Sequence, residues 1–273
     1  MSGSLICVGT GMTLGAHISP IATSHIAHAD VVFSLMSTGI TERWLEEMHP
    51  DVRSLQYCYQ EGKNRNITYN EMVEAILVEV RAGKKVTTAF YGHPGVFACV
   101  AHRAIKQAKA EQLTAHMEPG ISAEDCLYAD LAIDPGKTGC MNLETSQFMF
   151  YQRNIDPAAH LVLWQVGLAG DKSLAKFSTG KAYRQVLVDL LLETYPSDHQ
   201  VILYQAKVLP IDTVRAEHIA LIDLIDAELF MHTTLVIPPS EKLQPNQSVL
   251  AKLAAIDRQE SPSNHRPKLR LVL

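Results

Sequence analysis

The chain has 273 residues, 47% of them hydrophobic and 19% charged, and a net charge of -5. That is enough apolar material for one large or two medium cores, and the acidic balance argues against a nucleic-acid partner. Five cysteines, Cys7, Cys58, Cys99, Cys126 and Cys140, include no CxxC pair, which argues against a disulfide framework or a cysteine-based zinc site.

No apolar run approaches the ~20 residues of a membrane span, and no charged segment followed by an apolar one precedes the first strand. A cytoplasmic protein without a membrane partner is expected. Leu5–Val8 reads as a buried strand stopping at Gly9-Thr10-Gly11. Ser19 and Pro20 supply an N-cap and a first-turn proline for a helix through Ala27. Val31–Leu35 is predicted as a strand, Thr41–Met48 as a helix and Arg53–Tyr59 as a strand. After a polar loop over 60–67, Thr68 and Glu71 have capping-box spacing for a helix ending at Gly83.

Lys85–Tyr91 is predicted as a strand feeding Gly92-His93-Pro94-Gly95, followed by a helix over 96–109 and a strand over 114–117. The Pro119-Gly120 break reads as an interdomain joint, and Ser122 with Asp125 as a second capping box. Strands follow at 161–166, 201–205 and 229–237, with a helix over 181–195. Alternating strands and helices in both halves predict two α/β domains, 1–118 and 119–240. An extension, 241–273, is expected to hold a short amphipathic helix over 243–256 and a disordered tail over 257–267.

Glycine-rich turns between strand ends and helix starts are where α/β proteins hold small ligands. Neither the phosphate loop GxxxxGK[ST] nor GxGxxG is present in these turns. His93 has no second histidine or carboxylate at ligand spacing, so no metal is expected there, and no other histidine is assigned chemistry.

Val8-Gly9-Thr10-Gly11, Tyr91-Gly92-His93-Pro94-Gly95, Pro119-Gly120-Ile121-Ser122-Ala123 and Thr233–Pro238 fall in the order seen in the tetrapyrrole methylase superfamily, which the chain resembles over residues 4–240. Within it, Tyr91–Phe97, Ser122–Leu131, Leu163–Gly167 and Tyr57-Cys58-Tyr59…Arg65…Tyr69 resemble borosin-type peptide backbone N-methyltransferases. The resemblance implies an S-adenosylmethionine (SAM) site in the cleft between two α/β domains. It assigns Tyr91, His93, Val96, Phe97, Ser122, Ala123, Gln165, Tyr204, Ala206, Thr233 and Thr234 to cofactor binding. It assigns Arg65 and Tyr69 to proton handling, Tyr59 to their support and Tyr91 to orienting the target carbonyl or the methyl donor, with Tyr57 a weaker candidate.

Fused borosins carry their substrate as a C-terminal core peptide rich in β-branched residues. Here only Leu271-Val272-Leu273 is apolar at the terminus, which points to the split type, with a separate small precursor peptide supplied in trans. A homodimer, in a 2:2 complex with precursor, is implied by the same resemblance. An amide nitrogen is a poor nucleophile because its lone pair is delocalised into the carbonyl, so its proton must be removed. A tyrosine, with an ordinary pKa of about 10, suits that task when a guanidinium stabilises the phenolate. The alternatives are methylation of a small corrinoid or tetrapyrrole macrocycle, or a non-catalytic SAM-binding module.

Overall fold

A computed structural model describes residues 3–260. Through Ser240 the chain forms one body containing two five-stranded sheets. Its first part runs β1 (Ser4–Gly9), α1 (Pro20–Ala27), β2 (Val31–Leu35), α2 (Gly39–Glu46), β3 (Val52–Ser54), α3 (Arg65–Arg81), β4 (Lys85–Phe90), α4 (Cys99–Ala110) and β5 (Thr114–Glu118). All neighbours in the order β3-β2-β4-β1-β5 are parallel. A parallel sheet is covered on both faces, and every residue of β2 is accordingly buried. Val8, Val32 and Ala89 pack with Ala22, Ile26 and Leu45 of α1 and α2. On the other face, Leu5, Phe33 and Val86 pack with Met72, Ile76, Val100 and Ala104 of α3 and α4.

The second part runs α5 (Ala123–Asp130), α6 (Pro135–Thr138), β6 (Cys140–Glu144), α7 (Thr145–Phe150), β7 (His160–Trp164), α8 (Lys181–Leu192), β8 (Gln200–Gln205), β9 (Arg215–Ala220) and β10 (Thr234–Ile237). Its order is β6-β7-β10-β8-β9, with β6 and β7 parallel and the other three pairings antiparallel. The strand–helix alternation expected of this half therefore fails at β8 and β9, which follow one another without a helix and pair directly.

Local capping signals place several helices where the sequence predicts them. Ser19 accepts from Ala22 N ahead of Pro20, and Ser122 and Asp125 make the reciprocal capping box. Three expectations about element bounds are corrected. The helix expected from Thr68 starts at Arg65, because Asn64 caps it by accepting from Asn66 N; Thr68 is buried inside the helix. The strand expected over 53–59 ends at Ser54: Cys58 N bonds Leu55 O and Tyr59 N bonds Gln56 O, which tightens the chain into a 3₁₀ turn over Gln56–Cys58. The strand expected from Leu229 begins only at Thr234, because Thr233 N bonds Phe230 O and Phe230 N bonds Thr233 Oγ1 in a turn before it.

The segment from Glu241 carries its own helix, α9 (Gln247–Glu260). Residues 257–260, expected to be disordered, are its last turn; 261–267 lie outside the described residues. Among the described residues no helix is long and apolar enough to cross a membrane.

Candidate active site

The ends of β1, β4 and β5 converge through three glycines. A Cβ on Gly9 would lie 2.4 Å from Gly92 O and 2.8 Å from Gly120 Cα, and one on Gly120 would lie 2.4 Å from the same carbonyl. Gly92 also has φ +67, a left-handed conformation that glycine adopts without cost. Gly92 N donates to Gly11 O and Gly11 N to Gly92 O. The loop after Gly11 reaches the segment that follows β8, where Leu14 N donates to Val208 O at 2.8 Å.

The turn after β4 presents the next candidates. Tyr91 leaves 46% of its surface open, while enclosure of its hydroxyl end pushes the phenol pKa up. His93 Nδ1 accepts from Gly95 N at 2.9 Å, which holds the turn and commits that nitrogen. Val96 N donates to His93 O. Phe97 is exposed with φ +49, and its ring lies 5.3 Å from that of Trp164. Gln165, next to Trp164, also has positive φ, +60. Two non-glycine residues held in left-handed backbone so close together are the kind of local strain that clusters at functional sites.

Ser122 commits its hydroxyl to the α5 cap, donating to Asp125 Oδ2 at 2.6 Å and accepting from Asp125 N. Ala123 opens α5 and packs beside Leu127, as does Ala206 just past β8. Register brings the remaining candidates to one end of the second sheet. Tyr204 pairs with Thr234, and Val166 N donates to Thr233 O at 2.9 Å. Thr233 is buried, and its hydroxyl accepts from Gln205 Nε2 at 2.7 Å and Phe230 N at 2.8 Å. Tyr204 is buried and donates to Asp130 Oδ2 at 2.7 Å; burial first, then that carboxylate, drives its pKa up. Only the β6–β7 pair here is parallel, so these positions sit at ends of antiparallel strands rather than at parallel strand ends.

The tyrosine and arginine candidates form a second group. Arg65 opens α3 and Tyr69 follows one turn later on the same face. Tyr59, just past the 3₁₀ turn, meets Tyr69 edge-on, ring centroids 6.4 Å apart at 88°, and its hydroxyl donates toward that of Tyr69. Tyr91 is near enough that its charge would act on both. Tyr57 does not join them: the 3₁₀ turn throws it outward, 74% exposed.

Burial is the largest influence on the three phenols and raises all of them. For Tyr69 the neighbouring Cys99 adds to that rise, and Arg65 pulls the other way without cancelling it. Tyr59 is raised further by Tyr69 and Tyr91. The resting cluster therefore holds neutral phenols beside a permanent guanidinium.

Three participants were not read from the sequence. Asp171, its side chain 1% exposed, faces Arg65 Nη2 at 3.5 Å, while Arg65 Nη1 donates to Lys176 O at 2.9 Å. Arg103 on α4 lies over the Tyr69 ring, 5.7 Å from its centroid, and donates to Asn66 and Asn70. Cys99 lies one turn before Arg103; its thiol is raised by burial, with Arg103 opposing. The only local hint was the Asp171-x-Ser173 pattern of an Asx turn.

Comparison with known proteins fits this arrangement. Residues 4–208 match the family model of tetrapyrrole (corrin/porphyrin) methylases. The chain is 38% identical over 267 residues to the methyltransferase/ribosomally synthesized cyclic peptide gymnopeptides precursor of Gymnopus fusipes, covering 96% of this chain and 63% of that protein. It is 37% identical over 268 residues to the methyltransferase/ribosomally synthesized type I borosin cyclic peptide precursor of Coprinopsis marcescibilis, covering 95% and 68%. The chain thus spans about two thirds of the length of these curated relatives. The crystal structure of uroporphyrin-III-C-methyltransferase from Thermus thermophilus shares the fold, with a TM-score of 0.62 at 16% identity over 87% of this chain and 94% of that one. A family model matching well over half of the chain, a shared fold, and relatives more than a third identical show that this chain belongs to the tetrapyrrole (corrin/porphyrin) methylase family.

Proposed function

We propose that the chain is a SAM-dependent methyltransferase that N-methylates backbone amides of a ribosomally made precursor peptide supplied on a separate chain. The observation that carries this reading is the Tyr59–Tyr69–Arg65 group with Tyr91 at the β4 turn. The names of relatives such as the gymnopeptides precursor of Gymnopus fusipes, which join a methyltransferase to a cyclic-peptide precursor, support the substrate class. In this reading residues 1–118 and 119–240 are two domains, and the cofactor lies in the cleft between them.

The residues fit such a guest. The Gly9–Gly92–Gly120 contact keeps Cβ atoms out of the place where the strand ends meet. Phe97 and Gln165 hold left-handed backbone, and the Phe97 ring lies 5.3 Å from that of Trp164, the residue before Gln165. Tyr91, His93, Val96, Phe97, Ser122, Ala123, Gln165, Tyr204, Ala206, Thr233 and Thr234 would line the cofactor site. Because the Ser122, Tyr204 and Thr233 hydroxyls are engaged within the protein, these three serve mainly through backbone and shape. SAM supplies an electrophilic methyl group carried on a sulfonium.

The chain's own task is to take the amide proton. Tyr69 Oη accepts it as phenolate, a form that Arg65 and the hydroxyl of Tyr59 favour by charge and hydrogen bonding. Tyr91 aligns the target carbonyl so that the amide nitrogen faces the methyl group. The enzyme works in the cytoplasm as a homodimer, in a 2:2 complex with precursor.

The test is tandem mass spectrometry of the small protein encoded beside this gene, co-expressed with the chain and with its Tyr69→Phe variant. Mass gains of one methylene per site on backbone amides, lost in the variant, support the reading. An unmodified peptide, in a sample shown to bind SAM, overturns it and points to a small macrocycle as substrate.

A further inference from the structure

At the edge of the first sheet, α1 and β5 bring two imidazoles and a carboxylate together. His116 and Glu118 alternate along β5 and therefore share one face. They pair in register with Ile6 and Val8 of β1, which pack under Ala22 and Ile26 of α1. The face that α1 covers thus continues onto the edge strand, and His25 of α1 reaches over it. His116 Nε2 lies 3.2 Å and His25 Nε2 3.8 Å from Glu118 Oε1. All three ligand atoms fall within 4.8 Å of one another, and the imidazoles meet edge-on at 5.9 Å.

One atom of this group lacks a hydrogen-bond partner. His25 Nε2 is buried from solvent and makes no hydrogen bond, a condition that buried polar atoms rarely tolerate without a water or ion. A cavity of about 210 Å³, lined by Ser4, Ile6, His25, His28 and Thr87 among others, adjoins it.

We propose that His25, His116 and Glu118 form a divalent transition-metal site of the zinc class, with water completing the coordination. Two imidazole nitrogens and one carboxylate oxygen suit zinc, whereas calcium and magnesium take oxygen ligands. Tetrahedral bonds of ~2.0–2.2 Å place ligand atoms roughly 3.3–3.5 Å apart, so small side-chain rotations close the observed set onto an ion. As placed, Glu118 Oε1 is within hydrogen-bond reach of His116 alone, with His25 Nε2 beyond it at 3.8 Å; a metal would engage both imidazoles. Bound there, the ion ties α1 to the open edge of the sheet, two residues before Gly120. His25 lies 91 residues before His116, which is why no ligand motif marks the three together.

The test uses the full chain without an affinity tag, stripped with a chelator and titrated with zinc chloride by calorimetry, alongside thermal melting. Uptake of one equivalent and a melting temperature raised by zinc are expected, both lost in His116→Ala and in Glu118→Gln. His116 is 46% exposed, so the metal-free variant should melt near the metal-free wild type. No stoichiometric uptake, or uptake and shift unchanged in both variants, overturns the proposal. Cobalt(II) gives a second readout that needs no variant: visible bands of a nitrogen–oxygen tetrahedral site support it, and a strong thiolate charge-transfer band overturns it by placing the metal on cysteine.

Discussion

The guanidinium of Arg65 is held by the carboxylate of Asp171, 3.5 Å away and 106 residues later in the chain. Asp171 also accepts from Ser173 N, Ser173 Oγ, Ala175 N and Lys176 N. The same loop returns Lys176 O to Arg65 Nη1. One buried carboxylate thus shapes a loop and aims the cation that acts on Tyr69. Burial alone would raise its pKa, but the hydrogen bonds from Ser173 and the loop backbone outweigh it and hold the pKa below its ordinary 3.8.

Asp171→Asn keeps the shape and removes the charge. Denaturant unfolding should show a loss of about 1–3 kcal/mol, and methylation should fall about tenfold or more as Arg65 loses its hold. Unchanged activity in a destabilised variant would leave Asp171 a purely structural residue.

The same carboxylate gives a pH dependence of stability. Its folded pKa is depressed, so its contribution is fully present above the unfolded value and is lost as pH falls through the folded one. The stability gap between wild type and Asp171→Asn should therefore be constant from pH 7 to about 5 and narrow below about pH 4. Unfolding midpoints at pH 7, 5 and 3 measure it; a gap that widens in acid contradicts the assignment.

Methyl transfer should speed up with pH. Tyr69 has a pKa raised above its ordinary 10.0, so the phenolate is a minor species near neutrality and increases about tenfold per pH unit. The rate constant at saturating cofactor should follow that slope to about pH 9 in wild type. Tyr69→Phe should lower it by about 10²–10⁴-fold and flatten the profile. Arg65→Ala removes a charge that pulls the Tyr69 pKa down, so it should displace the profile to higher pH.

Gly120→Ala tests the convergence of strand ends. Its Cβ would meet Gly92 O and Gly9 Cα, both backbone atoms that cannot rotate away. Loss of SAM binding by calorimetry is expected, with a melting temperature lowered by several degrees. Gly39→Ala is the control, because a Cβ there meets open space.

How much was legible in the sequence depended on how far each signal reached. Ser19, Ser122 and Gly83 act within a turn of their own position, and the helix boundaries they predict hold. Thr68 and Glu71 show the limit: their capping spacing is genuine, but Asn64 takes the cap, anchored by its amide on Ser173 O 109 residues away. β3 gives way to a 3₁₀ turn over Gln56–Cys58, where the Gln56 side-chain amide donates to Met36 O, another partner distant in sequence. β6 and β9 are partly exposed edge strands without clean alternation, so periodicity had little to detect. Tyr59, Arg65, Tyr69 and Tyr91 do come together, yet Asp171 and Arg103, which position them, are visible only in three dimensions.

Strand order also dictates when each sheet can be finished during synthesis. β10 lies between β7 and β8, so until Ile237 has left the ribosome the second sheet is two unconnected ribbons, β6–β7 and β8–β9. β1, made first, waits for β4 and β5 before either of its edges is filled. Both sheets are thus closed by pairings distant in sequence, a topology that folds slowly. A nascent chain stopped short of Thr234 would expose the unpaired flanks of β7 and β8, apolar edges suited to capture by a chaperone or by another unfinished copy.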